Sequence, residues 1–461
     1  MGNSAFNSSS GHIDMLHGGM FRKILFFAMP LFLSGILQQS FNSVDIAVVG
    51  RWAGREALAA VGNNGMVISL IVNLFIGVSI GANVVIANYI GRNDAGGVRN
   101  AIRTSALIAL WSGVLLLFVG VAVADPLLRW LDTPSEVLDL AVLYLRIFSL
   151  GMPFMMIYNF GSAILRSMGD TRRPFYALVA SGIVNASLNL LLVIVFEMGV
   201  AGVAIGTVIA NMVNAAIIVF FLMHEKGEFR LELKNLKLSG SDLRKILKIG
   251  VPAGIQGMVF SISNVFILAS INGFGAEVAA GSSAALNFEY YCYFAISAFA
   301  QASVAFTSQN YGAGKYDRCR KVFRVSMLLG FLFCVVMNLV IVINREMFAG
   351  LFSSDPEVIH YAAVRMECVL MFQFIACSYE ISGASLRGLG YSMTPTVLTI
   401  FGTCVFRLVW VWCLARYGGG FAELMMVYPV SWVITGISVY TAYHIISQRV
   451  LLPQGGRDIR C

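Results

Sequence analysis

Asp45 lies in "SFNSVDIAVVG" (40–50), near the end of an apolar run that begins at about Ile24. Ser34, Gln38, Asn42 and Asp45 follow at intervals of four, four and three, which puts them on one stripe of a helix. A carboxylate near the middle of a membrane span costs about 2.5 to 3.5 kcal/mol, so this stripe should face a wet cavity or polar partners. Pro30, fifteen residues before Asp45, has no backbone N–H to donate and predicts a bend in the same helix. A second polar face comes from "SGIVNASLN", where Ser181, Asn185 and Asn189 stand four apart. Carboxylate, amide and hydroxyl oxygens are hard donors, so the chemistry on offer is the binding of a hard cation.

Other charges lie within apolar stretches. Glu289, Glu367 and Glu380 could attract a cationic substrate or relay protons, with Arg407 available to neutralise one of them. Arg146 and Arg365 sit early in their stretches, where snorkelling to the outer interface is expected. "NFEYYCYF" (287–294) gathers Tyr290, Tyr291 and Tyr293 around Glu289, a pattern suited to flat cations through cation–π attraction. The five histidines are scattered and no HExxH motif occurs, so a metal-dependent hydrolase is a poor fit. All eight cysteines fall at or after Cys292 without a CxxC pair and read as packing residues, not a disulfide framework.

The elements that position these groups are membrane spans. With 58% hydrophobic and 12% charged residues in 461, the composition excludes an ordinary soluble domain. A span needs about 20 apolar residues, and twelve stretches qualify: 24–49, 60–89, 100–124, 137–160, 175–196, 200–223, 245–271, 279–308, 322–344, 357–381, 395–415 and 422–446. The polar first twenty residues lack the order of a cleaved signal, and Phe6 stands where myristoylation requires Ser or Thr, so the first span is expected to be retained. Of 32 Lys and Arg, only Arg51, Arg55, Arg129, Arg345 and Arg416 fall in loops on the side opposite the termini. The positive-inside rule then makes both termini cytoplasmic, and the net charge of +8 reports topology and not nucleic-acid binding.

The chain also matches itself at an offset of 221. "GRNDAGGVRNAIRTS" from Gly91 meets "GAGKYDRCRKVFRVS" from Gly312, placing Arg99 on Arg320 and Arg103 on Arg324. Arg166, Gly169 and Pro174 fall on Arg387, Gly390 and Pro395, while Pro30 meets Pro252 one residue further along. A duplicated six-span unit has both copies the same way up, related by an axis along the membrane normal, with a cleft between. The expected organisation is a tail (1–20), an N-terminal lobe (21–223), a linker (224–244), a C-terminal lobe (245–448) and a second tail (449–461).

On "VDIAVVGRWAGREALAAVG" (44–62), "GVSIGANVVIANYIG" (77–91), "YNFGSAILRSMGDTRRPFYAL" (158–178), "GVAGVAIGTVIA" (199–210) and "SQNYGAGK" (308–315), the sequence resembles the MATE family, multidrug and toxic compound extrusion transporters. The resemblance implies an all-α membrane protein of two six-helix bundles in a bacterial inner membrane, working as a monomer without a cofactor. It implies export of amphipathic, often cationic compounds against an inward flow of sodium ions or protons. It also assigns the aspartate at Asp45 to the ion site of the N-terminal lobe. Asn185, Asn189 and Thr207 would complete that site; many relatives carry Asp where Asn189 stands, so this site has one acid in place of two. The rival readings are a flippase for a lipid-linked oligosaccharide, which calls for a cleft rich in Arg or Lys, and a non-transporting receptor or scaffold.

Overall fold

The computed structural model describes residues 12–130 and 133–451, so residues 1–11 and 452–461 of the two expected tails lie outside the described residues. Among the described residues there are helices and no strand. The first six spans are Met20–Ala53, Arg55–Gly91, Ala95–Trp130, Ser135–Leu150 with Met152–Ser167, Arg172–Val195 and Gly199–Met223. The second six are Gly240–Asn272, Ala276–Gly312, Tyr316–Ile343, Pro356–Gly388, Met393–Tyr417 and Phe421–Val450. Ten are long and apolar enough to cross a membrane, and the broken fourth makes eleven. The eighth, Ala276–Gly312, has the length, at 37 residues, but spreads its apolar surface among polar groups.

Three departures from straight helices have local causes or consequences. The fourth span, expected as one run over 137–160, bends by 48° between its two halves at Gly151. Pro153 opens the second half, where its missing N–H costs nothing to the new helix but ends the old one. The tenth span passes through a 3₁₀ segment, Leu370–Ile375. The first span stays helical through Pro30, where the Ser34 hydroxyl donates to the Pro30 carbonyl at 2.7 Å, and its irregular turn is instead the π segment Val49–Ala53, four residues after Asp45.

The halves meet at the basic end, which carries the termini and the 224–239 connection. Gly91 packs on the backbone of Gln309 and Ala313, and Gly312 packs on Asn88. Gly91 and Gly312, and likewise Asn88 and Gln309, are equivalent at the 221-residue offset, so this is the reciprocal contact that a two-fold axis produces. Gly77 and Gly81 of the second span lie directly against Gly254, Gly250 and the Ile246 carbonyl of the seventh. Across the other pairing, the first and eighth spans are held apart by side chains: Phe294 covers Gly35, and Phe27 meets Phe306 edge-on at 5.5 Å.

Gly81→Val should therefore push the lobes apart toward the basic end, because its side chain would meet the Ile246 carbonyl and the Gly250 backbone, which cannot yield. The expected result is faster labelling of a cysteine placed at Tyr89, which here bonds Asp242 at 2.6 Å across the same boundary. Unchanged labelling would show that the glycine contact does not hold this end shut.

Residues 12–18, expected as a polar tail, strap the two lobes together. The Ile13 N–H donates to the Gly169 carbonyl (3.1 Å) on the N-terminal lobe. Asn310 and Arg318 of the C-terminal lobe donate to the Met15 carbonyl at 3.1 and 3.3 Å, and Lys315 donates to that of Leu16 at 3.1 Å. His12 and Arg173 both reach Glu225. Burial pushes the Glu225 carboxyl up, but the His12 hydrogen bond and the Arg173 charge outweigh it and hold the group below 4.5. This tie is intact above the unfolded value and is lost as pH falls through the lowered one.

Candidate functional site

Asp45 enters the N-terminal lobe near the end of the first span, facing the fifth. Asn189 donates from Nδ2 to Asp45 Oδ1 in a short hydrogen bond. The same amide nitrogen lies 3.4 Å from Asn185 Oδ1, and Asn185 Nδ2 lies 3.4 Å from Thr207 Oγ1 of the sixth span. The hydroxyl of Thr207 is anchored by donation to the Val203 carbonyl at 3.0 Å. The four residues singled out by helical spacing and by resemblance thus form one continuous chain across three helices.

The chain is incomplete in one respect. Asn189 is fully buried and its Oδ1 has no hydrogen-bond partner among the described residues. It points at Gly206, where any side chain would overlap it. A half-turn of this amide exchanges a donor for an acceptor in nearly the same volume, so the residue can present nitrogen to a bare carboxylate or oxygen to a cation beside it. Gly206→Ala should disturb this residue first. We expect cation-dependent transport to fall while the sixth span, which gains helix propensity from Ala, stays folded; retention of normal transport would show that the space at Gly206 is not needed.

The remaining stripe residues play no part in that chain. Ser34 bonds only its own helix, while Gln38 and Asn42 are exposed. It is Gln39, not Gln38, that reaches across the lobes, donating to Asn287 of the eighth span at 3.4 Å. Tyr144 of the fourth span, buried and within range of the Asp45 charge, was not marked by any spacing signal because its neighbours are apolar.

In the C-terminal lobe the expectation for Arg365 is overturned. It does not snorkel: it is 2% exposed and grips Glu289 with two nitrogens, at 2.5 and 3.0 Å, with Ser282 Oγ at 2.5 Å. The neutralising partner of Glu289 is therefore Arg365, not Arg407. A forked guanidinium with several bonds is cheaper to bury than to stretch to water past the helices packed around it. Glu367 does not lie inside the lobe; it is half exposed and pairs with Arg345 at 2.7 Å. Glu380 is part-buried beside the Tyr293 hydroxyl and the Arg387 charge, and Arg387 donates to Gln256 at 2.8 Å. Of the tyrosines, Tyr290 is exposed and stacks with Phe294 at 6.4 Å, beside the first span, whereas Tyr291 packs on Phe288.

"GVSIG" (77–81) has the spacing of a serine-hydrolase elbow, but it is interior to the second span and its glycines are lobe contacts; Ser79 Oγ is bonded to the Ile76 carbonyl at 2.7 Å. Among the described residues no cluster of His, Cys, Asp and Glu could hold a metal ion.

This architecture, two six-span lobes with a chain of polar side chains inside the first, is that of a membrane transporter. The MatE family pattern matches twice, over residues 30–191 and 252–413, and the chain belongs to that family of multidrug efflux transporters. It is 26% identical over 93% of its length to the probable multidrug resistance protein YoeA of Bacillus subtilis, 94% of which is covered. It is 27% identical to the probable multidrug resistance protein NorM of Thermotoga maritima, over 86% of each chain. An FAD transporter of Shewanella oneidensis is 22% identical, with 94% of this chain and 95% of that one covered. A solved outward-facing conformation of a MATE family multidrug transporter superposes with a TM-score of 0.90 at 22% identity, covering 96% of this chain and 99% of that one. The protein is a multi-pass inner-membrane transporter of bacterial type that moves small molecules, and not an enzyme.

Proposed function

We propose that the protein exports amphipathic, positively charged compounds by antiport, with a sodium ion or a proton bound at Asp45 as the coupling ion. The observation that carries this reading is the Asp45, Asn189, Asn185 and Thr207 chain, with a buried amide oxygen left unpaired beside a carboxylate. An unpaired carboxylate in low dielectric is costly, so ion release must be met by the Asn189 amide, a proton or a rearrangement of the helices. That requirement links occupancy to shape.

The basic end is taken as cytoplasmic by the positive-inside rule, which makes the packed Gly77, Gly81 and Gly91 contacts the closed inner side and the cleft open outward. The exposed Tyr290, stacked on Phe294 where the lobes meet, offers a surface for flat cations. The protein works as a monomer in this reading, since each chain holds both lobes. The flippase alternative wants guanidiniums lining the cleft, whereas Arg365, Arg387 and Arg407 are buried inside the C-terminal lobe.

Asn189→Asp tests the pocket by adding a second acid. It should strengthen cation binding or shift the pH dependence of ethidium transport toward neutral pH. No change in either would mean that Asn189 only joins helices.

A further inference from the structure

The two lobes treat one position in opposite ways. The fifth and eleventh spans correspond at an offset of 221, with Pro174 on Pro395 near their starts and Gly199 on Gly420 beyond their ends. Each contains one π segment, but at different heights: Leu190–Val195 in the fifth and Ile400–Val405 in the eleventh. A π turn takes up one extra residue. Between the two heights the eleventh span therefore runs one residue ahead, and Arg407 takes the place of Asn185.

The contacts agree with this register. In the N-terminal lobe Asn185 reaches Thr207 of the sixth span at 3.4 Å. In the C-terminal lobe the Arg407 guanidinium lies 4.5 Å from the ring centre of Tyr428 of the twelfth span, and Tyr428 is the residue that matches Thr207 at 221. Arg407 also donates to Asn264 of the seventh span at 3.1 Å. From Pro30 on Pro252, Asn264 matches Asn42 and Ile267, one turn further, matches Asp45. The C-terminal counterpart of the ion pocket thus has an isoleucine for the carboxylate and a guanidinium for the amide.

That guanidinium is 1% exposed, forms no ion pair within 4.0 Å among the described residues and keeps Nη2 without a partner. Phe260 at 5.1 Å, Tyr428, Ser431 and Asn264 are what offset its burial. An arginine cannot give up its proton here, so the charge is permanent.

Resting on the reading of Asp45 given above, we propose that Arg407 is a tethered cation that fills the C-terminal counterpart of the ion pocket at all times and so confines ion exchange to the N-terminal lobe. The N-terminal pocket alternates between loaded and empty. The C-terminal one cannot, and it serves as the fixed half against which the other moves. Arg407 is in these terms a positioning residue.

The test is a melting cycle on the purified full chain at neutral pH, with Ile267→Asp introduced beside Arg407 and beside Arg407→Met. With Arg407 present, the new carboxylate meets its countercharge and the midpoint moves little. With Arg407→Met it is buried without one, and the midpoint should fall by about 10 °C further, with partial recovery on adding sodium chloride or acid. Equal losses in both backgrounds would show that the two positions share no pocket and would overturn the proposal.

Ethidium transport in proteoliposomes supplies the second readout: Arg407→Lys should stay within about threefold of the parent and Arg407→Met should fall about tenfold. Normal transport by Arg407→Met, or equal loss in Lys and Met, would also overturn it. Failure of the coupling reading itself looks different, as normal transport by Asp45→Asn with the melting cycle intact.

Discussion

Asp45→Asn should leave the protein inserted and folded and reduce drug export to background. Asparagine has nearly the volume of aspartate and can still meet the Asn189 amide, so the packing of the first span on the fifth survives. Removing the charge also removes an insertion cost of about 2.5 to 3.5 kcal/mol, so stability should hold or rise. The loss falls on the ion: a neutral amide offers neither a proton site nor the net charge a sodium ion needs in a low-dielectric pocket. The check is ethidium accumulation in cells with equal amounts of each protein in the membrane. Export that survives at the parental rate would make Asp45 structural and put coupling elsewhere.

The second large effect is expected from the buried pair in the C-terminal lobe. Arg365→Met removes two bonds to Glu289 and leaves a carboxylate in the lobe interior, where the loss from breaking a buried pair is about 3 to 5 kcal/mol. Thermal unfolding in detergent should show this as a markedly lower midpoint. Replacing both partners, as Arg365→Met with Glu289→Leu, removes the stranded charge and should recover most of the midpoint. If the double replacement also transports normally, Glu289 has a structural role. If it is stable but inactive, Glu289 acts in transport and the pairing seen here is one state of a cycle.

How far the sequence foretold this arrangement depended on whether the relevant neighbours lay on one helix. Asn185 and Asn189 stand four apart, so their common face follows from helical geometry, and Asp45 stood out by its cost in an apolar run; the meeting of both with Thr207 across helices came from family resemblance. Arg365 shows the opposite case. Judged within its own span it should have reached for the interface, and only the packing of the eighth span against the tenth brings Glu289 to it, 76 residues away in the chain. The strap at residues 12–18 was illegible for a different reason: apart from the contact of His17 Nε2 with Lys315 Nζ, its C-terminal-lobe ties fall on the carbonyls of Met15, Leu16 and Gly18, and carbonyls are common to every residue type. The π segments carried no composition signal either. They became interpretable only when the two copies of the repeat were compared helix by helix.

In the proposed antiport, the electrochemical gradient of an ion held at Asp45 drives export. The most direct measurement is ethidium flux in proteoliposomes under sodium and proton gradients imposed one at a time, for the parent and for Asp45→Asn side by side. At least one gradient should drive flux in the parent, and neither should do so in Asp45→Asn. Flux that ignores both gradients, or that responds to them equally in the two proteins, would contradict it.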